Sequence, residues 1–426
     1  MKKIVLIALP ALALIASCSK TEVTPAQTDP QQIAFTPLNG KLSTRAMIDG
    51  TTYATTDPSF GSFAYYLASG DWDSAANAKS ASLYVPTSEV KHSAAVSTWT
   101  TDTPYYWPKS GKVTFFAYSP YNYQEAAGDA INVTKGADND GLVIYNYDVD
   151  AHQLTDLMVA DVTKSKDQVK NIDANTGDNN SNYKGVPIVF QHKLSQIVGI
   201  NLETVKTENN ALVEHDYANK HDGTTGNEYK AGDVVFKLKN VSINMLNTKG
   251  HFSYSKTYDT PVSSWSAQSA PKNAYVWYNY VSDNANAPEQ FSGNTKFELK
   301  FNTKHKTNAN EYLLVLPQPL VEGTTTTTTT TSGDVTTRNL DKPYIHLEYQ
   351  VLTYTDANNY ATENVTEDVD LYIIHGGTAG SATTGIEIAQ NKKITYDIKI
   401  NLENRQIYWA PSVENWEAQS FTYTIE

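Results

Sequence analysis

Ile394-Thr395-Tyr396-Asp397-Ile398-Lys399-Ile400-Asn401-Leu402 alternates apolar and polar side chains along its whole length. Successive side chains of an extended strand point to opposite faces, so this period of two builds one apolar face and one polar face. Ile345, Leu347, Tyr349 and Val351 repeat the pattern against His346, Glu348 and Gln350, and Phe297, Leu299 and Phe301 repeat it against Glu298 and Lys300. Each stretch reads as a strand with its apolar side on a core and its polar side in water. His346 and Glu348 then face solvent. Phe236 and Leu238 share one phase, whereas Val241, Ile243 and Met245 share the other. That slip predicts a bulge or corner at Lys239-Asn240. Val186 to Phe190 and Tyr312 to Leu316 are nearly continuous apolar runs, the pattern of strands covered on both faces. No long stretch repeats at the helical period. The fold class is all-β, built from sandwiches.

Polar intervals separate these strands. Lys164 to Lys184, Glu203 to Gly232, and Gly323 to Gly333 with its threonine run Thr324 to Thr331 all read as exposed loops. A boundary near residues 190–200 divides the chain into an N-terminal domain, 46–195, and a C-terminal domain, 196–426.

Residues 1–17 have the form of a secretory signal peptide. Lys2 and Lys3 precede the apolar run from Ile4 to Ile15, and Ala16 and Ser17 then lead to Cys18. The run is shorter than the roughly 20 residues a spanning helix needs. Cys18 is the only cysteine, so no internal disulfide exists. Ile15-Ala16-Ser17-Cys18 matches a lipobox, where a bacterial lipoprotein is cut and its cysteine acylated; the alternative is an ordinary signal peptide with an incidental cysteine. Residues 18–45 begin as a polar tether with Pro25 and Pro30. Net charge is −13, which disfavours nucleic acid as a partner.

The motifs that could carry chemistry fall short. The nine histidines show no metal-ligand spacing. Asp138-Asn139-Asp140-Gly141 begins like a calcium loop, but Leu142, Val143 and Ile144 occupy the later ligand positions. Gly376-Gly377-Thr378-Ala379-Gly380 lacks the lysine and spacing of a phosphate loop. No catalytic residue, metal ligand or cofactor is assigned, and the chain does not read as an enzyme. Trp72, Trp99, Trp107, Trp265, Trp277, Trp409 and Trp416 read as core fillers, with stacking on sugars as the alternative. Asp73-Ser74-Ala75 matches a short O-glycosylation pattern.

Several stretches together resemble the fimbrillin family, the type V pilin-like lipoproteins. They are Thr44-Arg45-Ala46 after the short strand with Ile33 and Phe35, then Phe60 to Tyr65, Tyr106-Trp107-Pro108 and Val113 to Pro120. Asp156 to Ala160, Phe190 to Ser195, Leu316 to Pro319, Ile394 to Leu402 and Val413 to Trp416 follow in order.

The resemblance implies two transthyretin-like β-sandwich domains in tandem and a surface lipoprotein held in the outer membrane through Cys18. It further implies that an arginine-specific protease cuts between Arg45 and Ala46, releasing an N-terminal strand. A donor strand from another pilin subunit then fills the groove, in a homo- or hetero-polymer. Phe421, Tyr423 and Ile425 share one face of the C-terminal tail, 417–426, and suit that role; the tail reads equally as the last strand of its own domain. Candidate ligands are host glycans or proteins. The competing reading is a monomeric surface lipoprotein that binds glycans through exposed aromatics.

Overall fold

The computed structural model describes residues 32–39, 59–72, 75–93, 98–121, 132–136, 139–150, 156–165, 185–215, 229–257, 260–267, 271–279, 296–299, 301, 312–320, 325–330, 333–338, 341–371, 374–375, 382–383, 387–404 and 406–415. The first strands are β1 (Phe35–Asn39), β2 (Ser59–Leu67), β3 (Ser82–Ser93), β4 (Thr98–Thr101), β5 (Lys112–Ser119), β6 (Asn132–Lys135), β7 (Gly141–Asp148), β8 (Met158–Lys164) and β9 (Val186–His192). A short helix, α1 (Ala75–Ser80), lies between β2 and β3. The middle of the chain forms β10 (Ser195–Glu208), β11 (Ala211–Glu214), β12 (Val234–Asn244), β13 (Leu246–Asn247), β14 (Lys249–Thr257), β15 (Thr260–Ala267), β16 (Pro271–Lys272), β17 (Tyr275–Asn279), β18 (Lys296–Leu299) and β19 (Leu313–Val315). The last part forms β20 (Gln318–Pro319), β21 (Thr325–Thr330), β22 (Gly333–Arg338), β23 (Tyr344–Tyr354), β24 (Tyr360–Asp370), β25 (Ile374–His375), β26 (Ala382–Thr383), β27 (Glu387–Ile388), β28 (Lys392–Asn401) and β29 (Gln406–Asn415).

A barrel closes in the order β1-β4-β3-β2-β5-β8-β9. Phe35, Phe60, Val113, Phe115, Ala117, Ile188 and Phe190 fill its interior. The alternate residues Phe63, Tyr65, Phe116, Tyr118 and Val159 point outward, yet they too are buried. They meet Leu142, Ile144, Phe252 and Tyr254 from a sheet ordered β15-β14-β7-β6, which lies on this side of the barrel. Strands β2 and β5 are therefore covered on both faces, which is why Phe60 to Tyr65 and Val113 to Tyr118 are almost wholly apolar. Within the covering sheet, Phe252 of β14 pairs with Ile144 of β7, so residues on both sides of position 195 share one sheet.

Beyond β9 the chain builds a sandwich. One sheet runs β11-β10-β28-β29-β25-β26, with β18 and β19 on β10; the other runs β17-β12-β23-β24. Ile200, Leu202, Ile394, Tyr396, Ile398 and Trp409 meet Leu238, Val241, Ile243, Ile345, Leu347 and Tyr349 between them. The alternating stretches at 345–351 and 394–402 lie in this sandwich with their apolar face inward, and the ladder to β23 is irregular between Leu238 and Asn240, at the slip in phase.

Three expectations change. Glu203 to Glu214 is a hairpin, not part of a loop: β10 continues to Glu208, and Asn209 and Asn210 turn the chain at φ of 51° and 60°. Two positive-φ residues make the turn whose twist suits a two-residue hairpin, and asparagine tolerates that conformation. Thr325 to Thr330 is a strand paired with Gly333 to Arg338, because β-branched threonine fits a pleated ribbon as readily as a loop. In β9, Val186, Ile188 and Phe190 are buried but Pro187 and Val189 are only half-buried, so that strand is covered mainly on one face.

Candidate functional site: the seat of the first strand

β1 closes the barrel between β4 and β9. Gln32 bridges Tyr106, and the Ile33 N–H donates to the Tyr105 carbonyl at 2.7 Å. One antiparallel pair, Phe35 with Trp99, joins β1 to β4. Five parallel pairs, from Phe35 with Val186 to Asn39 with Phe190, join it to β9. The Val186 N–H also donates to the Ala34 carbonyl at 2.7 Å. The other ladders round the barrel are antiparallel. Parallel pairing is the slightly weaker kind, so β1 is held chiefly by what its side chains bury.

Ile33, Phe35 and Pro37 form that buried face. Ile33 is 2% exposed and Phe35 1%. The Phe35 ring stands edge-on to Phe60 at 5.8 Å and to Phe115 at 5.4 Å. Phe60 in turn meets Trp99 at 5.7 Å and Phe190 at 5.4 Å. Burying the Ile33 and Phe35 side chains is worth on the order of 3–6 kcal/mol gross. Backbone fit is as tight as side-chain fit. Gly185 has φ of +147°, and a Cβ there would lie 2.5 Å from the Ala34 carbonyl oxygen. Glycine both adopts this conformation and leaves room for the incoming strand.

At the far end of β9 a polar joint leads into the sandwich. His192 is buried and paired through Nδ1 with Asp156 Oδ2. Burial raises the Asp156 pKa, against the pull of His192 and of the Leu157 backbone N–H. The Lys193 N–H donates to the Leu157 carbonyl at 2.8 Å, and Trp265 Nε1 donates to the Lys193 carbonyl at 2.7 Å. The stretches Asp156 to Ala160 and Phe190 to Ser195 thus meet as one joint, of which there is no local sign in the sequence.

Cys18, Arg45, Ala46, Phe421, Tyr423 and Ile425 lie outside the described residues, as do Trp416, Asp73-Ser74, Asp138 and the 376–380 segment. Trp72, Trp99, Trp107, Trp277 and Trp409 are buried, and Trp265 packs against the core beneath the covering sheet. No tryptophan among the described residues stands open as a sugar platform. His346 does not simply face solvent: Nδ1 meets Asp368 at 2.7 Å and Nε2 meets Glu348 at 2.9 Å. Among the described residues no group of three or more His, Cys, Asp or Glu is placed to hold a metal ion. Among them also, no helix is long and apolar enough to cross a membrane.

The profile of the fimbrillin-like family matches residues 44–416. Fimbrium subunit Fim1C of Phocaeicola vulgatus is 27% identical over 204 residues, covering 45% of this chain and 49% of that protein. The chain thus spans about half the length of the curated relative it matches. A fimbrial protein from Bacteroides vulgatus has a TM-score of 0.47 at 16% identity, covering 91% of this chain and 99% of its own. A putative cell adhesion protein from Parabacteroides distasonis has a TM-score of 0.42 at 11% identity, covering 91% and 100%. With the family profile spanning both the barrel and the sandwich, the chain belongs to the fimbrillin-like family.

Proposed function

We propose that the chain is a structural subunit of a cell-surface fimbria, and that β1 is a temporary occupant of its seat. The chain is exported with lipid on Cys18 and held at the outer membrane. An arginine-specific protease cuts between Arg45 and Ala46, a few residues beyond Asn39, and severs β1 and the lipid together from the barrel. The emptied seat then takes an extended segment of another subunit.

The observation that carries this reading is the isolation of β1. It is a short strand, one residue-pair deep on β4 and parallel on β9, yet its side chains plug the aromatic interior. Removing it leaves unpaired backbone on β9 and an apolar slot, which an extended strand with alternating apolar residues satisfies at once. Phe421, Tyr423 and Ile425 have the same i, i+2, i+4 spacing as Ile33, Phe35 and Pro37. Burying three such side chains is worth on the order of 5–8 kcal/mol gross.

The test is intact-mass and N-terminal analysis of protein recovered from surface fibres. The expected form begins at Ala46 and carries no lipid. Fibres built from chains that still begin at acylated Cys18 would sink the reading.

A further inference from the structure

Thr325–Thr330 and Gly333–Arg338 form a ribbon of two strands, and among the described residues no third strand joins it. A hairpin of two strands standing alone is marginal in water. The ladder runs without a shift from Thr325 opposite Arg338 to Thr330 opposite Gly333, and two residues connect its last pair. A pair closing so short a connection exchanges both its backbone hydrogen bonds, and the pattern alternates from there. Thr326, Thr328 and Thr330 therefore bond to β22. Thr325, Thr327 and Thr329 turn their N–H and C=O groups to the open edge of β21.

Other open edges of the chain are blunted. β24, the outer strand of its sheet, carries Glu363, Glu367, Asp368 and Asp370. β15, the outer strand of the covering sheet, has Pro261 as its second residue. Charge and proline on an edge discourage a further strand. β22 itself carries Asp334 and Arg338, but β21 has no charge, no proline and no bulge.

The same residues select what the edge takes. β21 is threonine throughout, so its sequence reads alike in both directions. Turned end for end, a second copy sets threonine opposite threonine, a favourable cross-strand pair. A charged strand finds no counter-charge here. With Thr327 opposite Thr327 of the second copy, each Thr325 faces the other chain's Thr329, and every outward backbone group of both strands is bonded.

We propose that β21 is a homotypic docking edge, pairing antiparallel with β21 of a second copy about a twofold axis at Thr327. Such an isologous contact closes on two copies. It therefore joins neighbouring fimbriae side by side and does not lengthen them, and repetition along two filaments strengthens it. That consequence rests on the fimbrial reading above; the contact itself does not.

The test uses the uncut full chain with Cys18→Ser, in which β1 keeps its seat and strand replacement is absent. Thr327→Cys should then form a disulfide-linked dimer roughly tenfold faster than Asn364→Cys on the exposed edge strand β24, because the paired Cα atoms lie about 5.5 Å apart, within disulfide reach. Thr325→Cys and Thr329→Cys chains should link to each other when mixed, and far more slowly each to itself. Adding Thr325→Pro to Thr327→Cys removes one outward N–H, and should abolish the dimer with the melting temperature unchanged. Equal rates at positions 327 and 364 overturn the contact and leave strand replacement standing. Thr325→Cys chains that link to themselves as fast as to Thr329→Cys chains overturn the twofold pairing. On whole cells, an adduct of Thr327→Cys with a different protein, in place of the dimer, overturns the second copy as occupant.

Discussion

Leu313 and Leu314 are neighbours in the chain and fill different cores. Leu313, with Val315, is buried in the sandwich core that also holds Trp277, whereas Leu314, with Leu316, is buried in the core under the sheet that covers the barrel, against which Trp265 packs. A strand covered on both faces by separate cores ties them mechanically. Leu313→Ala and Leu314→Ala should each cost about 2–5 kcal/mol, from lost burial and the cavity left behind. Denaturant unfolding followed by tryptophan fluorescence should show one coincident transition for the unaltered chain. Two separated transitions in that chain would mean β19 does not couple the cores.

Phe35→Ala addresses the seat of β1. Phe35 is almost wholly buried against Phe60 and Phe115, so truncating it should cost the full chain about 3–5 kcal/mol. The cost belongs to the form that still carries β1. After cleavage at Arg45 and removal of the released segment, the altered and unaltered chains are identical and should melt together. A Phe35→Ala chain as stable as the parent before cleavage would mean the slot collapses around a smaller side chain.

The strands easiest to read in the sequence are those with one face in water. β23 and β28 alternate cleanly because one side of each packs on the sandwich core while the other stays polar. β2 and β5 give no such rhythm, since the covering sheet buries their outer face as well. The hairpin at Asn209-Asn210 was hidden because its turn lacks glycine and its arms mix polar and apolar residues without a clean period of two. The seat of β1 was half legible: Ile33 and Phe35 announce a short strand, but nothing local tells that Phe35 pairs with Val186. Pairing across that separation is a tertiary fact, decided by which slot the aromatic residues leave open.

Asn210→Gly tests the turn directly. Asn210 sits at φ of 60°, where glycine carries no Cβ penalty. The change should leave stability within about 0.5 kcal/mol or raise it slightly, whereas Asn210→Val should cost on the order of 1–2 kcal/mol. Thermal melts of the two variants give the comparison, and equal effects would argue against the positive-φ turn.

Asp161 binds the covering sheet to the barrel. It lies on the outer face of β8 and accepts from Tyr254 Oη and Lys256 Nζ, both on β14. Its side chain is 11% exposed and that of Lys256 is 19%. Asp161→Ala therefore leaves a largely buried ammonium and a buried hydroxyl without their acceptor. The expected loss is about 3–5 kcal/mol; Lys256→Met strands the Asp161 carboxylate in turn but leaves it the Tyr254 hydroxyl as a donor, so it should cost less. Calorimetry on both variants decides it; a larger loss for Lys256→Met would mean the ammonium is adequately solvated.

His346 makes the outer face of the sandwich sensitive to pH. With Asp368 at 2.7 Å on Nδ1 and Glu348 at 2.9 Å on Nε2, both ring nitrogens face carboxylate oxygens. Only the doubly protonated ring donates to both. Burial opposes the charge, but the two hydrogen bonds and the attraction of both carboxylates outweigh it, and the pKa is raised above its ordinary value. Burial and the nearby Asp368 also raise the carboxyl of Glu367, the next residue along β24. A folded pKa above the unfolded one means the folded state binds the proton more tightly. The contribution is complete below about pH 6.5, the ordinary histidine value, and disappears as pH rises through the raised folded pKa. At this partly solvated site it amounts to no more than about 1 kcal/mol. His346→Gln should flatten the stability profile over that window, and the ring resonances of His346 should titrate above those of an exposed histidine. A His346 midpoint at or below the ordinary value would show that one of the two carboxylates turns away in solution.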